Sequence, residues 1–186
     1  MSTLPKLYAI TDSERYGKDF FQTLKGVLDR GVKMVQLREK KLSTKEYYEK
    51  AINVKKITSK YSAMLFINER VDIALAVEAD GVHLPQDGLP PSCVKRIKKE
   101  LIVGFSAHSL DSALYAQSEG ADFITLSPIF KTSSHPEVEP IGLALLQDVC
   151  RTLSIPVYAL GGIDWEKIKP CYKNGAYGVA GISLFL

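Results

Sequence analysis

Apolar residues along the chain gather in eight short runs: "LYAIT" (7–11), "KMVQLR" (33–38), "AMLFIN" (63–68), "GVHL" (81–84), "LIVGFSA" (101–107), "FITLS" (123–127), "PVYALGG" (156–162) and "GVAGIS" (178–183). Each is rich in Val, Ile, Leu or aromatic residues and too short for a helix, so each predicts a buried strand. The stretches between them carry helical spacing. In "DFFQTLKGVLDRG" (19–31), Phe20, Leu24, Val27 and Leu28 recur three or four residues apart, and Gly31 marks the stop. "STKEYYEKAINVKKITSKY" (43–61) opens on a Ser or Thr cap followed by Glu46. Residues 110–120, 141–153 and 164–175 behave alike, while 71–77 and 91–100 predict shorter helices.

Four joints share one local grammar: "DRGVKMVQ", "EADGVHL", "EGADFITL" and "NGAYGVAG". A left-handed Gly is expected to end each helix just before a buried strand begins. Strands that are apolar on both faces and alternate with helices predict parallel pairing through helical crossovers. Eight such units predict a closed (β/α)8 TIM barrel, with residues 1–186 as a single domain. The terminal "ISLFL" has no room for a full eighth helix, which is expected to be missing or truncated. An apolar strip left open there predicts a homodimer that covers it.

Composition narrows the function. Of the 186 residues, 46% are hydrophobic and 24% charged, as in ordinary soluble globular proteins. A net charge of +3 suits anionic metabolites and gives no concentrated basic face for nucleic acid. No run approaches the roughly 18 apolar residues of a membrane span, and "MSTLPKLYAITDSERYGK" lacks a signal-peptide pattern. Cys93, Cys150 and Cys171 are scattered, which fits free thiols in a reducing compartment and a cytoplasmic protein.

Chemistry in a parallel barrel is built where the strands end, and polar residues collect there. The successive runs end in Thr11 and Asp12; Gln36, Arg38 and Lys40; Asn68 and Glu69; His83, Gln86 and Asp87; Ser106 and His108; Ser127; and, after the last two, Gly161, Gly162 and Ser183. The loop "SPIFKTSSHPEVEP" after the sixth run is the longest and brings Lys131, Thr132, Ser133, Ser134 and His135. Strand alternation places Gln36, Arg38 and Lys40 on one face. Arg38 offers a planar fork for phosphate oxygens and Lys40 a compact charge. Asn68 and Glu69 are hard oxygen donors of the kind Mg2+ takes beside phosphate. The glycine pair and Ser183 could hold a second phosphate through backbone N–H groups. Each residue also has a plainer reading. Arg38 and Lys40 could pair with Glu39 or Glu69, and Glu69 with Arg70. His83 could be a satisfied structural histidine and His108 an orienting group for the Ser106 loop, while Tyr47, Tyr48 and Trp165 read as packing residues.

In order and spacing, "LYAITD", "VQLREK", "INERVDIALAVEADGVHLPQD", "VGFSAHSLDSALYAQSEGADFITLSPIF", "ALGGI" and "GAYGVAGIS" resemble the thiamine phosphate synthases and their TenI-type relatives, which include a thiazole tautomerase. The resemblance implies a barrel that joins hydroxymethylpyrimidine diphosphate to a thiazole phosphate and releases pyrophosphate with Mg2+. By motif, Gln36, Arg38, Lys40, Asn68 and Ser106 correspond to the diphosphate pocket. Thr132 and Ser134, with Gly162, Ile182 and Ser183, correspond to the contacts of the thiazole phosphate. Arg38, Lys40, Ser106 and His135 are then the residues expected to act in the chemistry.

The chain departs from the family pattern at four places. Glu69 stands where the synthases have a metal-binding Asp. The last residue of the family's "GQED" becomes Gly88 in "PQDG", leaving Asp87 as the substitute ligand one position earlier. His135 replaces a loop lysine, and Pro128 stands where the tautomerase has its histidine. Three readings follow: a synthase-like transferase, a tautomerase using His135 as proton carrier, and a non-catalytic protein that binds the phosphorylated thiazole or thiamine.

Overall fold

The computed structural model describes residues 3–132 and 137–186. A strand forms in each of the eight apolar runs: β1 (Leu7–Ile10), β2 (Met34–Leu37), β3 (Met64–Asn68), β4 (Gly81–Leu84), β5 (Ile102–Ala107), β6 (Phe123–Leu126), β7 (Val157–Ala159) and β8 (Gly178–Gly181). Each pairs in parallel with its sequence neighbours, and β8 returns to β1, so the barrel is closed. The helices are α1 (Ser13–Tyr16), α2 (Phe20–Asp29), α3 (Thr44–Lys60), α4 (Val71–Ala76), α5 (Pro91–Ile97), α6 (Leu110–Ser118), α7 (Gly142–Thr152) and α8 (Trp165–Lys173).

Seven of these helices were legible, and α1 was not. Four residues are too few to show a period, yet its start is well specified. Asp12 accepts hydrogen bonds from the N–H groups of Glu14 and Arg15. The Ser43–Glu46 capping box of α3 forms as read. Left-handed glycines close three of the four joints, Gly31, Gly120 and Gly175. At the fourth, Glu78 takes the left-handed turn (φ 52°) and Gly81 is already inside β4.

Gly81 serves another purpose. Along each strand, side chains alternate between the barrel interior and the helical shell. Tyr8, Phe66, Phe123 and Tyr158 point inward and pack edge-on, with ring centroids 5.3–5.9 Å apart. Three of these rings lie in register with a glycine on the next or previous strand: Phe66 with Gly81, Phe123 with Gly104, Tyr158 with Gly178. A methyl group at any of those glycines would collide with its ring. The rings therefore fill the narrow interior because small residues face them. Outward residues such as Val35, Leu65, Val82, Val103 and Ile124 join the larger core beneath the helices.

The lower, N-terminal rim carries a repeated clamp. Asp80 Oδ2 accepts the N–H of Leu65 at 2.8 Å and Lys55 Nζ at 2.9 Å. Two units later, Asp122 Oδ2 accepts the N–H of Val103 at 2.7 Å and Lys95 Nζ at 2.5 Å. Each clamp ties the start of one strand to its neighbour and to the preceding helix.

After β8 the chain makes one 3-10 turn, Ser183–Phe185. Within "ISLFL" this turn folds Leu184 and Phe185 inward, 5% and 3% exposed, while Leu186 and Trp165, whose ring packs on Phe185, remain exposed. Arg30 also donates to the Phe185 carbonyl. Of the residues read as packing, Tyr47 is buried, but Tyr48 and Trp165 are exposed. The three cysteines are free, and burial pushes the Cys150 and Cys171 thiols up to about 11. Among the described residues, no helix is long and apolar enough to cross a membrane.

Candidate active site at the barrel mouth

Above the aromatic plug the interior turns polar. Gln36 is buried and donates from Nε2 to the Tyr8 hydroxyl at 3.0 Å. Tyr8 Oη lies 3.4 Å from His83 Nδ1, and His83 Nε2 lies 3.1 Å from Ser106 Oγ and 3.4 Å from Thr125 Oγ1. Burial pushes the imidazole down to about 3, so it is neutral at pH 7. A neutral imidazole donates from one ring nitrogen and accepts at the other, so both the Tyr8 and the Ser106 contacts can be satisfied at once. Five strands thus contribute to one hydrogen-bonded floor. His83 is the satisfied histidine of the plainer reading, but it sits in the site and joins Gln36 to Ser106.

Arg38 and Lys40 do not share a strand face with Gln36. β2 ends at Leu37, and both cations lie on the loop beyond it. That loop is held at three successive residues. Tyr47 Oη donates to the Leu37 carbonyl at 2.6 Å, the Arg38 N–H donates to Thr11 Oγ1 at 3.1 Å, and Glu39 takes Lys50 and Ser13. Among the described residues, neither the Arg38 guanidinium nor the Lys40 ammonium has a hydrogen bond or ion pair. The anticipated pairing partners are occupied or turned elsewhere: Glu39 by Lys50, and Arg70 by Asp72 instead of Glu69.

At the end of β3, Asn68 keeps its side-chain amide without a described partner. Glu69 is exposed on a left-handed backbone, φ 63°, a conformation that costs a non-glycine residue about 1–2 kcal/mol. Two short bonds hold it: Glu69 N–H to the His83 carbonyl at 2.8 Å and Arg70 N–H to the Asn68 carbonyl at 2.7 Å. Asp87 is exposed on the next loop, after β4. Both carboxylates are unpaired among the described residues, and no cluster of three or more His, Cys, Asp or Glu is present there. By the chemistry of the donors alone, carboxylates suit Mg2+, which takes one or two of them and completes its shell with phosphate oxygens and water. Gly88 could not readily carry the family's carboxylate. A Cβ there would lie 3.0 Å from the ring of Pro85, the residue that replaces the first glycine of the family's "GQED".

The loop after β6 is fastened to the end of β7. Ile129 N–H donates to the Leu160 carbonyl and Phe130 N–H to the Gly161 carbonyl. Gly161 and Gly162 have φ of 97° and 65°, and a Cβ on Gly162 would strike the Phe130 and Lys131 carbonyls. Both glycines are thus required by backbone shape, while their own N–H groups donate to no described acceptor. Lys131 and Thr132 are brought beside them. Ile182 and Ser183 follow β8, the strand next to β7. Ser134 and His135 lie outside the described residues. His108 Nδ1 donates to the Ser127 carbonyl at 2.7 Å and so orients the β5 and β6 loops against each other. Two shallow surface hollows, one along α8 at Trp165 and Tyr172 and one below at Lys6 and Pro156, contain none of the predicted site residues.

A closed eight-strand parallel barrel whose strand ends lead into unpaired cations, two free carboxylates and backbone amides without a described acceptor is the arrangement of a phosphometabolite-handling (β/α)8 protein. Residues 7–185 match the family model described as thiamine monophosphate synthase, and the chain belongs to that family. It is 67% identical over 183 residues to the putative thiamine-phosphate synthase 2 of Aquifex aeolicus, covering 98% of both chains. It is 44% identical to the thiamine-phosphate synthase of Caldanaerobacter subterraneus subsp. tengcongensis, covering 95% of this chain and 85% of the relative. A solved thiamine phosphate pyrophosphorylase from Pyrococcus furiosus superposes with TM-score 0.87 at 38% identity, covering 96% of this chain and 85% of that one.

Tyr8 and Thr125 join the floor without having stood out as site residues in the sequence. Their signal was a polar atom inside an apolar run, at an inward position two residues from another interior side chain.

Proposed function

We propose that this chain is a thiamine phosphate synthase that condenses hydroxymethylpyrimidine diphosphate with thiazole phosphate. The observation that carries this reading is the uncommitted pair Arg38 and Lys40 on a loop pinned at three points, above a neutral polar floor. In this reaction the bond between the pyrimidine methylene and the diphosphate oxygen breaks, and its electron pair leaves with pyrophosphate. The thiazole nitrogen then donates its lone pair to the methylene carbon. That nitrogen carries no proton, so no general base is needed. Arg38 and Lys40 act on the departing group, whose negative charge grows as the bond lengthens; contacts of this kind lower the barrier more than they tighten substrate.

Gln36, Asn68 and Ser106 complete the diphosphate pocket. Thr132, Ser134, Gly162, Ile182 and Ser183 hold the thiazole phosphate. Glu69 and Asp87 are the residues that would hold Mg2+, which supplies charge neutralisation to the leaving diphosphate when bound. The tautomerase reading needs a proton carrier and rests on His135, which lies outside the described residues. Of the other two histidines, His83 is enclosed and held neutral, and His108 is tied to a backbone carbonyl. The test gives purified protein both substrates, with and without Mg2+, and the tautomer substrate separately. Metal-dependent release of pyrophosphate with formation of thiamine phosphate supports the proposal. Proton exchange on the thiazole without pyrophosphate release would replace it with the tautomerase.

A further inference from the structure

Between the two unpaired cations lies Glu39, and its carboxylate does not face either of them. The side chain is 6% exposed and bonded through Oε1 to Lys50 Nζ and to Ser13 Oγ, each at 2.6 Å. Lys50 Nζ also donates to Ser13 Oγ at 2.6 Å and lies 3.7 Å above the Phe20 ring. The Lys50 side chain is itself only 16% exposed. Three polar atoms thus close a triangle that joins α1, the loop after β2 and α3.

Placement makes this triangle more than a structural staple. Glu39 is the immediate neighbour of Arg38 on one side and Lys40 on the other, a carboxylate adjoining both cations on the same short loop. A carboxylate paired with the Arg38 guanidinium would fill the fork that phosphate oxygens require. Lys50 removes that competitor by neutralising it beneath the loop. We infer that Lys50 is a positioning residue, which sequesters Glu39 so that Arg38 and Lys40 remain available to a diphosphate. This rests on the diphosphate-binding reading of those cations given above.

Physical chemistry separates this role from plain stability. Removing one member of a buried pair leaves the other uncompensated, whereas removing both charges together does not. In Lys50→Met, Glu39 is expected to turn to Arg38 or Lys40; in the double variant Glu39→Gln/Lys50→Met it has no charge with which to do so. The experiment measures binding of inorganic pyrophosphate with Mg2+, and of thiazole phosphate, by calorimetry, with thermal midpoints recorded alongside. Lys50→Met should weaken pyrophosphate binding at least about tenfold, the size of one charge-assisted contact. Thiazole phosphate binding should stay within about twofold, as for sites with no shared partners. The double variant should recover most of the pyrophosphate affinity.

Unchanged pyrophosphate binding in Lys50→Met overturns the inference, as does equal loss in the single and double variants. Should Lys50→Met not fold, Lys50→Gln takes its place in the same comparison. Arg38→Ala separates the two levels of the argument. If it leaves pyrophosphate binding intact, the diphosphate reading itself fails. If it abolishes binding while Lys50→Met does not, only the positioning role fails.

Discussion

At the lower rim of the barrel, Lys55 and Lys95 each rest on an aspartate that also receives a strand N–H. At the upper rim, Arg38 and Lys40 stand beside paired charges, Lys41 with Glu14 and Lys50 with Glu39, and yet take no described partner themselves. The two ends are built from the same strands and the same residue types. They differ in whether the charge is satisfied within the chain. A cation already held by a carboxylate and a backbone network has little left for a ligand, so the lower clamps can only stabilise. A cation left in water gives the fold almost nothing, and its worth appears when a multiply charged anion arrives. Division of labour between the two faces of a (β/α)8 barrel is thus readable from the pairing of charges.

The contrast is broken most sharply at Arg38. Arg38→Ala should lower kcat/KM for the synthase reaction roughly a hundredfold or more, the scale of one lost electrostatic contact in a transition state. Stability to urea should change by no more than about 0.5 kcal/mol. A large loss of stability with little loss of rate would reverse the assignment of that rim.

The floor between the rims supplies the next effect. His83 titrates at about 3 in the folded chain against roughly 6.5 unfolded. Its folded value is depressed, so its contribution is intact above pH 6.5 and is lost as pH falls toward 3. Linkage gives about 2 kcal/mol lost at pH 5 from this group alone. Urea titrations at pH 7 and pH 5 should show that drop, and His83→Gln should flatten it. An unaltered pH dependence in the variant would place the titration elsewhere.

At the lower rim, Asp122→Ala strands the Val103 N–H. It should cost about 1–2 kcal/mol, the lower part of the range for an orphaned buried donor because the clamp is about one-third exposed. Activity of the surviving folded enzyme should match the parent. The smallest effect belongs to Lys95→Met, which removes the ion pair but leaves the Asp122–Val103 bond. It should cost less than about 1 kcal/mol and shrink further in high salt. A kinetic defect in either variant would blur the distinction between the faces.

Much of this architecture was legible because it rests on local pattern. Eight apolar runs became eight strands with ends matched to within three residues, and Ser43 with Glu46 announced the start of α3. What escaped depends on pairing across the barrel. Gly81 read as the end of a helix because its true reason, the Phe66 ring on the neighbouring strand, lies fifteen residues earlier in the chain. Alternation carried Arg38 and Lys40 onto the face of Gln36, since nothing in "MVQLREK" marks where the ladder stops. Glu39 read as a partner for its neighbours, whereas its ligands come from Ser13 and Lys50 on separate elements.

The ring of Tyr8, Phe66, Phe123 and Tyr158 fills the barrel below Gln36, and the floor above it is buried in turn. The centre of the barrel is therefore solid, and a ligand can be met only at the rim, by loops and strand ends. Three glycines that leave room for those rings thus decide at which depth chemistry can begin.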